Sequence, residues 1–395
     1  MARIASIGWT PIYNSHVEPT TEYTVRLDDG ACGRGASPHG ESIGIYEAGS
    51  VAADPAAIIE MAGSDGLLGA ELDQESFDAY LEDRIGTLGK NTCYALSLAF
   101  HQAITESSHG CSGAAATTLV RPRLCCNILN GGWHAYTNPV LSDFQEYVLV
   151  ARSDDIGRVL DMHDEVQRTV HDALLALPKA VVNGNPVSRF PTADNRECIE
   201  FLLGVVERLG FAGDFDLMID AAMSGLRAED GYRLAITDDL VRSGDELCGY
   251  WLDLIRDYPL RFLEDPFGEQ DAGSWTRLTT SQDTCEVIGD DFYASDAARI
   301  EAGAAAHCTT GAIIKPNQAG SVTAVVRALR AASRAGQTAI VSHRSVSTET
   351  PFEAMLSCAY DARYIKIGPL LSDYSSVIRL NEIIRLTAGD ENRGR

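Results

Sequence analysis

The sequence predicts an α/β protein of two parts: a small α+β domain over residues 1–120, and a β/α barrel over 121–395 that carries the reactive groups. Three observations predict it. Residues 4–30 alternate in the manner of strands, as in Glu22-Tyr-Thr-Val-Arg-Leu27, and residues 74–105 switch to a helical pattern. From about residue 121 onward, short apolar runs alternate with helical segments. Chemically able side chains then follow the ends of six of those runs.

In the first part, Gly33-Arg-Gly-Ala-Ser-Pro-His-Gly40 is expected to be a glycine-rich loop. Leu88-Gly-Lys-Asn91 is expected to turn the chain into a helix over Thr92–Ile104, and the Ser/Gly/Ala-rich stretch 107–117 to be a linker. In the second part the predicted strands are Leu124–Leu129, Tyr147–Ala151, Phe215–Ile219, Arg261–Leu263, Glu286–Ile288, Ala312–Ile314, Ala339–Val341 and Tyr364–Ile365. Of the helices between them, Ser321–Ala335 has the clearest pattern. Val322, Val325, Val326 and Leu329 share one face, Arg327, Arg330 and Arg334 the other, and Gly336 stands where a cap belongs. Eight strands with helical crossovers favour a closed barrel. An open doubly wound sheet would want a glycine-rich phosphate turn after its first strand, and Asn130-Gly-Gly does not continue as GxGxxG.

Composition narrows the function. Fifty-six acidic against 32 basic side chains give a formal charge of −24, which argues against nucleic acid or an anionic membrane as the partner. No stretch approaches the ~20 apolar residues of a membrane span. The N-terminus lacks the pattern of a signal peptide, and the ten cysteines, without CxxC spacing, read as reduced, mostly buried thiols of a cytoplasmic protein. Lysine occurs only at positions 90, 179, 315 and 366, the other 28 basic residues being arginine. Arginine cannot supply a neutral amine near neutral pH, so each lysine is a candidate for chemistry.

At the strand ends stand Asp220, Glu264, Asp290, Lys315, His343 and Lys366; from Glu264 onward they lie about 25 residues apart, one β/α unit each. Three carboxylates without histidine or cysteine ligands suit a hard cation, with Mg²⁺ first. A lysine buried beside a second lysine and such a cation is expected to have a lowered pKa and to act as a base. Proton abstraction next to a carboxylate, with metal holding the enolate, is the chemistry that set suggests; Lys-plus-Mg²⁺ sites of the enolase superfamily are a known example of it.

The segments Asn127-Ile-Leu-Asn-Gly-Gly-Trp-His-Ala135, Asp143-Phe-Gln-Glu146, Leu263-Glu-Asp-Pro-Phe267, Gly289-Asp-Asp291, Ile314-Lys-Pro-Asn-Gln318, Ser342-His-Arg-Ser345 and Ile365-Lys-Ile-Gly368 resemble the signatures of enolase. So do Asn14-Ser-His-Val-Glu-Pro-Thr-Thr-Glu22 and Gly35-Ala-Ser37, in order along essentially the whole chain. The resemblance implies the enolase fold, with a modified (β/α)8 barrel of TIM type, and a homodimer. It also implies two Mg²⁺ per active site, with Asp220, Glu264 and Asp290 as ligands of the first and Ser37 helping to ligate the second. Lys315 would take the α-proton, Lys366 would neutralise the substrate carboxylate, and Arg344 and Ser345 would bind phosphate. His134, Gln145, Glu146 and His343 would line the pocket, Glu146 acting with a second glutamate when hydroxide leaves.

The departures fall on one side of that site. The position of the second glutamate corresponds to Pro186, and nothing acidic lies between Val181 and Ala193. Ser-His has become Trp133-His134, Leu371-Ser-Asp-Tyr-Ser-Ser376 replaces an Arg-Ser-Glu-Arg segment, and the first loop reads Ala-Ser-Pro-His-Gly40. His39 is expected to be solvent-exposed. Three readings follow. The first is a specialised paralogue similar to the carboxyphosphonoenolpyruvate synthases of phosphonate natural-product biosynthesis, which would also take a nucleotide-activated phosphonate. The others are a divergent hydratase acting on 2-phosphoglycerate, and a non-catalytic binding protein on an enolase frame.

Overall fold

The computed structural model describes residues 1–41, 44–47, 54–109, 119–131, 137–360, 362–370 and 374–388. At the N-terminus, β1 (Ala2–Tyr13), β2 (Pro19–Leu27) and β3 (Cys32–Ala36) pair antiparallel, and the two-residue β4 (Glu71–Leu72) adds to the start of β1. The helices α1 (Pro55–Ser64), α2 (Gln74–Glu82), α3 (Ile85–Leu88) and α4 (Lys90–His109) accompany this sheet. Ile4, Tyr23, Val25, Phe77, Leu81, Ala99 and Phe100 form their common core.

Two local expectations are corrected here. The glycine-rich segment is a strand as far as Ala36. Gly33 and Gly35 alternate onto the face that meets α4, where a Cβ would overlap the carbonyl oxygens of Ala99 and Ala95. These glycines serve close packing, not a turn. Gly89, at φ 75°, does end α3, but α4 starts at Lys90 and runs on to His109, taking in the start of the expected linker; residues 110–118 lie outside the described ones.

The second part is a closed barrel. It begins with β5 (Arg123–Asn130) and β6 (Glu146–Ala151), followed by α5 (Ile156–Leu175), the hairpin β7 (Lys179–Val182) and β8 (Asn185–Ser188), α6 (Asn195–Arg208) and β9 (Phe215–Asp220). A small antiparallel sheet comes next, β10 (Arg227–Ala228), β11 (Gly231–Leu234) and β12 (Leu240–Arg242), and then α7 (Gly244–Asp257). The remainder is β13 (Leu260–Glu264), α8 (Ala272–Thr280), β14 (Glu286–Gly289), α9 (Ala297–Ala305), β15 (Gly311–Ile314), α10 (Pro316–Ala319), α11 (Val322–Arg334), β16 (Thr338–Ser342), α12 (Phe352–Ala359), β17 (Tyr364–Lys366) and α13 (Tyr374–Thr387).

The barrel order is β13-β14-β15-β16-β17-β5-β6-β9, so the open-sheet alternative is excluded. β6 runs antiparallel to both neighbours and the other pairs are parallel, which is the modification of a regular β/α barrel. Val148, Val150, Met218, Phe262, Ile288, Ile313 and Ile340 fill its interior, while a larger apolar layer lies between strands and helices.

Six of the acidic residues serve helix starts. Asp54, Asp73, Asp155, Asp194, Asp271 and Asp296 cap α1, α2, α5, α6, α8 and α9 by accepting a first-turn N–H, each an interaction of about 1 kcal/mol. α11 lies as its periodicity predicts: Ser321 caps it, Val322, Val325 and Leu329 are buried, and Gly336 follows at φ 67°. The nine described cysteines are all unpaired and eight are buried. Among the described residues, no helix is long and apolar enough to cross a membrane.

Candidate active site

Register brings the reactive groups to one end of the barrel. Asp220 pairs with Glu264 across β9 and β13, and with Glu146 across β6. Lys366 pairs with Ser342 across β17 and β16, placing it next to the turn that carries His343 and Arg344. Backbone at this mouth is unusual: Ala222, Asp265, Ala294 and Ser295, all in loops beyond β9, β13 and β14, have φ between 44° and 57°. Such conformations persist where surrounding contacts dictate them.

Two ammonium groups organise the carboxylates. Lys366 Nζ lies 2.9 Å from Glu264, 2.9 Å from Glu146 and 3.6 Å from Asp220, and Lys315 Nζ is bonded to Asp290. The other two lysines are structural. Lys90 Nζ donates to the Gln318 carbonyl (2.9 Å), and Lys179 Nζ to the Leu174 carbonyl (2.9 Å) and the Ser188 hydroxyl (2.7 Å).

The electrostatics follow from that packing. Burial, then the charge of Asp220, pushes Glu264 well above the usual carboxylate range. Burial also raises Asp220 despite Lys366. Burial works in the same sense on Asp290, but Lys315, together with Lys366 and Arg344, outweighs it and holds Asp290 low. The expected lowering of a lysine pKa concerns a lysine beside a bound cation; among the protein's own groups the balance runs the other way. Burial disfavours both ammoniums, yet Asp290 raises Lys315, and Glu146, Glu264 and Asp220 raise Lys366 further. His343 behaves oppositely: burial, Arg379 and Lys366 hold it well below its ordinary value, so it is a neutral imidazole facing the Lys366 carbonyl at 3.2 Å.

Several side chains beyond the strand-end set also stand at this mouth. Asp265 directly follows Glu264, and its two carboxylate oxygens accept the N–H groups of Asp290 and Asp291, both at 2.9 Å. Oxygens of Asp265, Asp290 and Asp291 approach within 4.8 Å of one another, a grouping that shares only Asp290 with the expected ligand set. Burial and the neighbouring Asp290 push Asp291 up to about 7. Asn127 donates to Glu146 at 2.8 Å, and Glu47 meets Arg344 at 2.8 Å. Asp265 and Asp291 were signalled by adjacency to chosen residues, whereas Glu47 has no local signal because its partner lies far along the chain.

The remaining expected residues sit as follows. The Gln145 N–H donates to the Asp220 carbonyl at 3.0 Å. Ser345 Oγ accepts from the Glu41 N–H at 3.0 Å, and Ser37 Oγ donates to the adjacent Pro38 carbonyl at 2.9 Å. His39 is not simply a solvated loop residue. Its backbone bridges Val346, tying the Ser37 loop to the Arg344 loop, while its ring is 41% exposed and 3.9 Å from Glu18. Trp133, His134 and residues 371–373 lie outside the described residues.

The donor set fits a divalent cation. Glu146, Asp220, Glu264 and Asp290 meet two ammoniums, Asp265 and Asp291 lie beside Asp290, and Glu264 Oε1 and Asp290 Oδ1 are buried with no hydrogen-bond partner among the described residues. Residues 118–392, well over half of the chain, match the family model of the enolase C-terminal TIM barrel domain. The chain belongs to the enolase family. Members of that family are generally Mg²⁺-dependent enzymes, and the orphaned carboxylate oxygens at the barrel mouth are what such an ion requires. The antiparallel β6 is thus part of an enolase-type barrel, and it delivers Glu146 to the mouth.

Proposed function

We propose that this enolase-family chain abstracts the α-proton of a small phosphorylated carboxylate and holds the resulting enolate, in a site specialised away from rapid water elimination. Lys315 is the base in this reading. Its Nζ is bonded to Asp290, a carboxylate that also feels the charge of Lys366, so a bound α-carbon would have an amine on one side. Lys366 neutralises the substrate carboxylate, Arg344 and Ser345 take the phosphate, and neutral His343 offers a hydrogen bond without adding charge. Asp220, Glu264, Asp290 and Ser37 would hold Mg²⁺, which stabilises the enolate when bound. His134 and Gln145 would complete the pocket.

The observation that carries the specialised reading is the hairpin of β7 and β8. Its turn is Asn183-Gly184, at φ 50° and 82°, and its strands pair Lys179 with Ser188 and Val181 with Pro186. Not one acidic side chain stands between Val181 and Ala193, so this segment supplies no proton to a departing hydroxide. Loss of general-acid help lowers such a step by about 10²–10⁴-fold. An enolate that is not discharged by water loss can attack a second substrate at its activated phosphorus, the new bond forming as the activating nucleotide leaves. That supports a carboxyphosphonoenolpyruvate synthase-like role with a nucleotide-activated phosphonate. One observation favours the alternative hydratase: Glu146 is an acid inside the site, 2.9 Å from Lys366. The full set of lysines and carboxylates speaks against a non-catalytic binding protein.

The test is enolpyruvate absorbance from 2-phosphoglycerate with Mg²⁺, on protein free of host enolase, with Lys315→Ala in parallel. Slow formation, abolished by Lys315→Ala, is expected. Turnover undiminished in Lys315→Ala would remove that lysine as the base, and turnover at ordinary enolase rates would favour the hydratase.

A further inference from the structure

Arg344 is the group assigned above to the substrate phosphate, and in this structure its Nη1 already meets a carboxylate. Its guanidinium Nη1 meets Glu47 Oε1 at 2.8 Å, with Asn317 Oδ1 at 3.5 Å; the Arg344 and Glu47 side chains are only 3% and 7% exposed. A buried ion pair of this kind cannot simply be opened, because either charge left alone inside the protein is strongly disfavoured. A phosphate that takes Arg344 Nη1 does so by exchange with the carboxylate that holds it.

Glu47 is held in place by contacts that do not involve its charge. The N–H of Glu47 donates to the Gly44 carbonyl at 3.1 Å, closing a turn. Gly44 lies so close to Asp291 that a Cβ would be 2.9 Å from the Asp291 side chain. Ile45 N–H donates to Glu269 at 3.2 Å, and the Tyr46 ring stacks 3.3 Å from the Arg299 guanidinium, which is itself bonded to the Phe292 carbonyl. Its second oxygen is also engaged. Gln318 Nε2 donates to Glu47 Oε2 at 3.0 Å, Ser295 Oγ donates to Gln318 Oε1 at 2.8 Å, and the Lys315 N–H donates to Ser295 Oγ at 2.8 Å. The carboxylate is therefore tied through three hydrogen bonds to the backbone of the proposed base.

We propose that Glu47 is an internal anion that competes with the substrate's phosphate for Arg344, and so sets how strongly the site holds a phosphorylated ligand. The proposal rests on the reading of Arg344 as the phosphate group's partner. A ligand that takes Arg344 Nη1 displaces the Glu47 side chain, so its apparent affinity is the intrinsic one multiplied by the fraction of molecules in which Nη1 is free of Glu47. Glutamine at position 47 keeps the size and a carbonyl oxygen for Arg344 but removes the competing charge, and the flanking contacts hold the segment in position.

The experiment is calorimetric titration of the full chain with inorganic phosphate, comparing the unaltered protein with Glu47→Gln, Arg344→Met and the double variant. Glu47→Gln is expected to bind phosphate at least about tenfold more tightly, a gain that the double variant loses. Misfolding cannot imitate a gain in affinity. Equal or weaker binding by Glu47→Gln, with binding still dependent on Arg344, would overturn the proposal and leave Glu47 as a residue that merely positions Arg344. No phosphate binding by any of the four proteins would overturn the phosphate-site reading, and this proposal with it.

Discussion

Asp265 uses both carboxylate oxygens on the N–H groups of Asp290 and Asp291, from a backbone conformation with φ 44°. Its work is geometric: it fixes the turn that presents Asp290 to the centre of the site. Asparagine there would keep one acceptor and turn an NH₂ group toward the second N–H. Asp265→Asn is therefore expected to weaken Mg²⁺ binding by about 10–100-fold, the usual effect of losing a group that orients a ligand. Mg²⁺-dependent thermal shift would measure it. Unchanged affinity would mean that Asp290 is oriented without Asp265.

At the scale of elements, close approach and burial decide what can change. β3 packs on α4 through Gly35, where a Cβ would overlap the Ala95 carbonyl and stand 2.7 Å from the Ala99 nitrogen, whereas Gly8 in β1 has nothing within 4 Å. Gly35→Ala is expected to destabilise by about 1–3 kcal/mol, and Gly8→Ala by less than about 0.5 kcal/mol, in urea unfolding. Similar effects at the two positions would contradict the tight strand–helix contact. Along α5, burial pushes His163 down to about 4, with Asp164 opposing weakly and Gln167 at 3.3 Å from the ring. Unfolded, the ring titrates near ~6.5. Between those values the unfolded chain binds the extra proton, so stability falls as pH drops through this window, by about 1.4 kcal/mol per unit at most. His163→Gln should flatten the stability–pH slope between pH 6 and ~4.5. An unaltered slope would show that this imidazole is not buried neutral.

Over the whole molecule, local signals carried most of the barrel. The eight predicted strands all lie in it, because apolar runs mark buried strands and charged residues mark their ends. Strand direction left no such mark: nothing in Tyr147–Ala151 shows that β6 runs against its neighbours. The β10–β12 sheet was missed because its strands have two to four residues, too few for a period. Yet it fixes the loop beyond β13, where Tyr232 accepts the Gly268 N–H at 3.0 Å. Glycine misled in the opposite direction, since the Gly33–Ala36 composition suits a loop while its packing against α4 demands a strand. In the site, Asp220, Glu264, Asp290, Lys315 and Lys366 were legible as strand-end residues. Glu47 was not, because its place beside Arg344 is a product of folding two distant segments together.

The proposed function has the site make and hold an enolate without readily discharging it by water loss. The most direct test is proton NMR of 2-phosphoglycerate in deuterium oxide with Mg²⁺ and the full chain. The hydrogen next to the carboxylate is expected to exchange with solvent faster than enolpyruvate accumulates. Absence of exchange, with the same ligand bound, would contradict it.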